Sequence, residues 1–156
     1  MAALRRGLGR PPGTVPDMFR YVVPWVSEEA SRRYENALYL IASLYAHHPA
    51  CGGVGNMGDH FARARNPAAG DTAIERRFTA VLRSHPDDFP FYLRQAVSYL
   101  KSKEIAVNWH QLLRDILAWS HPDHYVQKRW ARGFWGSAAR PDIASEERWP
   151  CLSSCT

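Results

Sequence analysis

The sequence predicts an all-α protein: a small helical bundle in two helical lobes, with mostly antiparallel neighbours. Three observations carry this. Apolar residues recur at helical spacing, as in Ile74, Phe78, Val81 and Leu82, which follow i, i+4, i+7, i+8. The connections between such runs in the second half are short, which turns successive helices back on one another. No stretch alternates apolar and polar residues for long enough to argue for a strand.

Taken in order, residues 1–15 are rich in Arg, Gly and Pro. Ala2 to Arg6 suits a short helix, which Gly7, Gly9, Pro11, Pro12 and Gly13 stop. A second short helix is expected from Pro16, a favoured first-turn proline, with Asp17 beside its positive end and Pro24 ending it. Ser27 reads as the N-cap of a longer helix reaching about Ala46, with Glu28 and Glu29 in its first turn. Tyr34, Leu38, Ile41 and Tyr45 would line its core face, flanked by Ala37 and Leu44. His47 to Gly58 reads as a loop made flexible by its glycines. A short helix near Asp59 to Arg65 follows, then a loop through Asn66-Pro67 to Gly70. This loop-rich stretch divides an N-terminal lobe, 1–70, from a C-terminal four-helix lobe, 71–136.

In the second lobe Asp71 is the expected cap of the first helix, and Ser84-His85-Pro86-Asp87 separates it from a helix ending near Lys103. Asn108 opens the third helix; Val107 and Leu112 can form a hydrophobic staple, and Gln111 would complete a capping box. Ser120-His121-Pro122-Asp123 opens the fourth, whose stripe is Val126, Trp130 and Phe134. The repeated SHPD reads as one capping solution used twice. Residues 137–156 have no stripe and read as a disordered tail outside the core fold.

Composition narrows the function. At 156 residues, 46% hydrophobic and 12% aromatic, the chain can bury a core and is not disordered as a whole. A net charge of +5 and a pI near 9.4 suit a nucleic-acid partner. No apolar run approaches the roughly 20 residues of a membrane span, so no membrane partner is expected. Three cysteines exclude an all-paired disulfide framework, and a cytoplasmic, reducing location is the simplest expectation.

The chemistry-bearing clusters have plainer readings. His47, His48, Cys51 and His60 match no standard zinc spacing. Gly52-Gly53-Val54-Gly55 lacks the lysine and the preceding strand of a phosphate loop. His85 and His121 have no evident nucleophile partner. No catalytic residue, metal or cofactor is therefore expected. Trp109, Trp119 and Trp130 fall near core stripes, whereas Trp25 and Trp135 lie at helix ends and suit an interface. A stacking platform for bases needs an exposed aromatic, a property that periodicity does not reveal.

The basic positions say more as a set. Arg5, Arg6 and Arg10 open the chain; Arg76, Arg77, Arg83, Arg94, Lys101, Lys103 and Arg114 continue it; Lys128, Arg129 and Arg132 close it. At about 100° per residue, Arg76 and Arg83 point away from the Ile74–Phe78 stripe. Acidic residues of the second lobe gather instead at helix starts. Such a distribution suits phosphate contacts, which give affinity without sequence specificity. The alternative is a helical protein–protein adaptor whose basic surface meets an acidic partner.

Five segments, ALRRGLGR (3–10), PDMFRYVVPW (16–25), ERRFTAVLRS (75–84), FYLRQAVSYL (91–100) and VNWHQLLRDILAW (107–119), resemble in order and spacing the small subunit (CasB-type) of the type I-E CRISPR Cascade complex. The likeness spans residues 3–135. It implies a non-enzymatic helical subunit of a ribonucleoprotein. Its implied partners are guide RNA, the displaced DNA strand, the backbone and large subunits and a second copy of itself, and its implied role is to stabilise the R-loop. An R-loop is close to energetic balance, so contacts to the displaced strand can tip it. By position, the nucleic-acid-binding residues implied are Arg5, Arg6, Arg76 and Arg77, then Arg83 and Arg94, then Lys128 and Arg129. The basic set adds Arg10 and Lys101 to these candidates.

Overall fold

A computed structural model describes residues 1–136; the tail assigned above to 137–156 lies outside the described residues. Among the described residues there are eight α-helices and no strand. They are α1 (Ala2–Arg5), α2 (Phe19–Val22), α3 (Arg32–His47), α4 (Met57–Arg63), α5 (Thr72–Arg83), α6 (Phe89–Ser102), α7 (Trp109–Ala118) and α8 (Tyr125–Trp135). Single 3-10 turns, Pro16–Met18 and Val23–Trp25, flank α2. Pro24 therefore does not stop this segment. It occupies a first-turn position of the 3-10 turn, where a missing N–H costs nothing.

The long helix begins one turn later than Ser27 suggests. Ser31 is its N-cap, accepting the Tyr34 N–H at 3.2 Å, while Ser27 to Ala30 closes a separate turn. Its buried face differs from the expected stripe too. Ala37, Tyr39, Ser43, Leu44 and Ala46 are buried and Tyr34 is exposed, because α3 serves two cores at once. Leu44, with Leu40 and Ile41, meets the main core. Tyr39, with Leu38 and Ala42, closes over Met18 and Val22 in a small satellite core.

The stripes of α5 and α8 appear as read: Ile74, Phe78 and Val81 are buried, as are Val126, Trp130 and Phe134. Aromatic packing dominates the main core. Phe78 and Phe134 lie 4.5 Å apart between ring centroids, and Phe89 stacks on Trp119 at 3.8 Å and 9°. Pairs of this kind add about 0.5–1.5 kcal/mol beyond the area they bury. The main core joins Leu44, Met57, Phe61 and Ala64 to buried residues of α5 through α8.

The glycine-rich loop is shaped by packing as well as by backbone freedom. A Cβ on Gly53 would sit 2.5 Å from the Ala106 carbonyl oxygen. One on Gly58 would collide with the Trp130 carbonyl, so α4 and α8 cross backbone against backbone. Asn56 caps α4 through a full capping box: its side chain accepts from Gly58 and Asp59 N–H, and Asp59 Oδ2 accepts the Asn56 N–H at 2.7 Å. Gly133 of α8 sits over this box.

The capping box expected at Asn108 is only half formed. Asn108 Oδ1 accepts the Gln111 N–H at 3.1 Å, but the Gln111 side chain turns to Asp115 and the Asn108 N–H goes to His60. Asp71 stands at the N-cap of α5 without a side-chain cap bond, its carboxylate facing Arg65 Nε at 3.8 Å. Both SHPD segments do make one turn twice, through the imidazole. His85 Nδ1 accepts the Asp87 N–H at 3.3 Å and His121 Nδ1 accepts the Asp123 N–H at 3.2 Å.

Candidate nucleic-acid interface

The basic residues fall into separate groups in space. The first is built on one stripe of α6. Phe91, Arg94, Ser98 and Lys101 follow i, i+3, i+7, i+10, to one side of the buried stripe Leu93, Ala96, Val97 and Leu100. His47, at the end of α3, meets this stripe through a 3.0 Å contact between Nε2 and the Ser98 hydroxyl. Partial burial lowers the His47 pKa, and Lys101, His48, Arg94 and Arg5 lower it further by their charge. His47 thus sits against the α6 stripe that carries Arg94 and Lys101, with the Arg5 charge acting on the same ring. A phosphate there would meet three permanent cations on two helices.

Arg10 lies by the same patch. It lines a groove of about 590 Å³ with Gly9, Tyr39, Phe91 and Arg94, between the 7–13 segment and α6. Arg6 is turned elsewhere, paired with Asp17.

The second group lies on α5. Arg76 and Arg83 are exposed and line an open groove of about 720 Å³ with Thr79, Ser84 and His85; Glu75 and Asp88 line it as well. Arg77 leaves them and covers the Tyr99 ring at 5.3 Å. The third group, on α8, is divided in role. Lys128 is exposed. Arg129 donates to Oδ1 of the fully buried Asp115 at 2.9 Å and covers Tyr125 at 5.4 Å. Asp115 also accepts from Gln111 at 2.9 Å and from Trp130 Nε1 at 2.7 Å. Burial raises the Asp115 pKa, opposed by those bonds and by the Arg129 charge.

The histidines considered for a metal are occupied within the fold. His48 Nε2 lies 2.7 Å from the Ile105 carbonyl oxygen, and His60 is buried between α4 and the start of α7. Among the described residues no three His, Cys, Asp or Glu side chains converge as a metal site. In the sequence His47 is weighed only as a metal ligand, and Phe91 is not singled out. The i, i+3, i+10 spacing of Phe91, Arg94 and Lys101 was available as a signal, but the arrival of Arg5 and His47 beside it is tertiary.

A family profile for CRISPR-associated protein Cse2 matches residues 1–135. The chain belongs to the Cse2 family. A Cse2 protein of Thermus thermophilus is 37% identical over 148 residues, covering 94% of this chain and 84% of that protein. Among solved Cse2-type structures, CasB from Thermus thermophilus superposes with a TM-score of 0.76 at 34% identity, over 86% of this chain and 84% of that one. CasB from M. ruber gives 0.73 at 30% identity, over 88% and 84%. A chain of a CRISPR RNA-guided surveillance complex gives 0.73 at 26% identity, over 87% and 81%. The all-α fold and the resemblance to the CasB-type subunit both hold. Among the described residues no helix is long and apolar enough to cross a membrane.

Proposed function

We propose that this Cse2 protein is a non-catalytic, sequence-independent nucleic-acid-binding subunit of a CRISPR RNA-guided surveillance complex in antiviral defence. It works beside guide RNA, the backbone and large subunits and a second copy of itself, and it stabilises the R-loop by holding the displaced DNA strand. The observation that carries this reading is the α6 stripe of Arg94 and Lys101, which His47 meets through Ser98 at 3.0 Å and beside which Arg10 lines the groove of about 590 Å³. Cations brought to one side of the molecule by α1, the 7–13 segment and α6 form an anion-binding surface. The test is binding of single-stranded DNA across a salt series by the full chain and by the Arg5→Ala/Arg94→Ala/Lys101→Ala triple variant. The slope of log affinity against log salt should fall by about 0.7 for each phosphate that the variant no longer neutralises. Affinity independent of salt, or an unchanged slope in the variant, sinks the reading.

One observation favours a protein contact elsewhere on the same subunit. Trp25 is 79% exposed, with Tyr21 and Val23 exposed nearby in the chain. Large aromatics of this kind anchor protein interfaces. Trp25→Ala should weaken co-purification with other subunits and leave DNA affinity unchanged.

A further inference from the structure

We propose that Phe91 is a base-stacking platform. On this proposal the groove beside it takes one nucleotide of single-stranded DNA, with the base against the Phe91 ring and the flanking phosphates on Arg94 and Arg10. This deepens the displaced-strand reading and rests on it for the choice of DNA.

Phe91 is 55% exposed although it lies inside a fourteen-residue helix whose buried stripe runs elsewhere. Its ring meets Tyr92 edge-on, at 5.4 Å between centroids and 85°. The Arg94 guanidinium lies 5.8 Å from the ring centroid. Gly9 also lies against that guanidinium; its φ is +73°, and a Cβ there would fall 2.5 Å from Arg94 Nη1. Glycine at this position thus lets the 7–13 segment close on the arginine and hold it beside the aromatic ring.

The groove so formed has a volume of about 590 Å³ and a mostly apolar lining that includes Pro90, Tyr39 and Phe91. That size lies within the roughly 300–1,000 Å³ of small-ligand pockets, enough for a base and its sugar. Arg10 and Arg94 supply the positive charge, and Asp87 lines the groove as well. Phosphate is drawn to the guanidiniums and repelled by the carboxylate, which orients the strand. Aromatic faces interleaved with cations are the elements by which proteins hold single strands without reading sequence. Along the same stripe, Ser98 and Lys101 lead on to the His47 patch.

The experiment compares oligo-dT with a matched oligomer of abasic sites, titrated into the full chain. Phe91→Ala should weaken oligo-dT binding by about five- to tenfold. It should leave abasic binding and the salt slope unchanged, because no charge is removed, and Phe91→Tyr should retain the wild-type preference. Phe91→Gln, which keeps a flexible polar residue on the exposed site, should behave as Phe91→Ala. Equal binding of both oligomers by wild type and Phe91→Ala overturns the stacking platform and leaves the displaced-strand reading intact. An equal loss for both oligomers overturns it too, since the ring would then only shape the charge track. So does unchanged DNA binding with lost co-purification, which marks a protein contact. Absence of single-strand binding by the wild type overturns both readings.

Discussion

The imidazole of His60, on α4, accepts the backbone N–H of Asn108 through Nε2 at 3.0 Å. It thereby supplies the acceptor that the Gln111 side chain was expected to provide at the start of α7. Arg63 Nη1 lies 3.1 Å from the other ring nitrogen. Burial, and then the Arg63 charge, push the His60 pKa down to about 4.

Acid should therefore destabilise the protein through His60. An unfolded histidine takes up a proton near pH 6.5, whereas the folded one resists until about pH 4, so stability falls as pH drops through that window. The full effect is on the order of 3 kcal/mol. Urea midpoints at pH 7 and pH 4.5 measure it. In His60→Gln, whose amide oxygen can still accept from Asn108, the pH-dependent loss should shrink. Asp115 acts in the opposite sense: its raised pKa adds stability at low pH that is lost as pH rises through the folded value.

Arg129 and Lys128, neighbours on α8, should separate cleanly in effect. Arg129→Ala removes one of three donors to the buried Asp115 carboxylate and should cost roughly 1–3 kcal/mol of stability. Lys128→Ala should leave the melting temperature within a degree or two, since an exposed lysine typically contributes within about 0.5 kcal/mol. Thermal melts of the two variants check this; equal losses would show that the Asp115 bond is not what holds α7 to α8.

Replacing Arg76, Arg77 and Arg83 together with alanine should weaken R-loop stability in the assembled complex without unfolding the subunit. Arg76 and Arg83 are exposed, and of the three only Arg77 gives up a cation–π contact, on a Tyr99 ring that Lys103 also covers at 5.8 Å. Cation–π contacts at such sites are worth about 0.5–1 kcal/mol. A melting temperature lowered by more than ten degrees would show that these side chains are structural.

Gly58→Ala should be among the most damaging single substitutions, because the added methyl meets the Trp130 backbone, which has no flexible end to move aside. Gly70→Ala is the control: it has open space but a φ of +73°, so the strain should be about 1–2 kcal/mol. Expression and urea midpoints rank the two, and comparable costs would argue against a close α4–α8 crossing.

Much of the helical framework was legible because it is local. The stripes of α5 and α8 and the two SHPD turns depend on spacing within one segment. What escaped was decided between segments. Ser27 and Ser31 are equally good caps by residue type, and the satellite core beneath Tyr39 selects the later one. The same division of labour on α3 hid its true buried face. Asn56-x-x-Asp59 is itself a capping signal, obscured by the surrounding glycines, whose roles depend on backbones distant in sequence. For the candidate interface, the list of cations was readable. Their grouping around His47, and the internal duties of Arg6, Arg77 and Arg129, were not, since nothing near those residues in sequence announces Asp17, Tyr99 or Asp115.

The crossing of α4 on α8 also sets the order in which the chain can fold during synthesis. A seven-residue helix is far below the roughly 12–15 residues that hold together alone in water. Its partner carries Trp130 and Phe134, which fill the centre of the main core, and the Asn56 side chain donates to the Arg129 carbonyl across 73 positions at 3.4 Å. Phe61 finds Phe78 and Tyr99 once α5 and α6 are made, but the backbone crossing of Gly58 on Trp130 waits for α8. At about 5–20 residues per second, that interval lasts several seconds. A nascent chain halted before Tyr125 should be digested readily by protease, and one extended past Trp135 should resist, with protection arriving in a single late step.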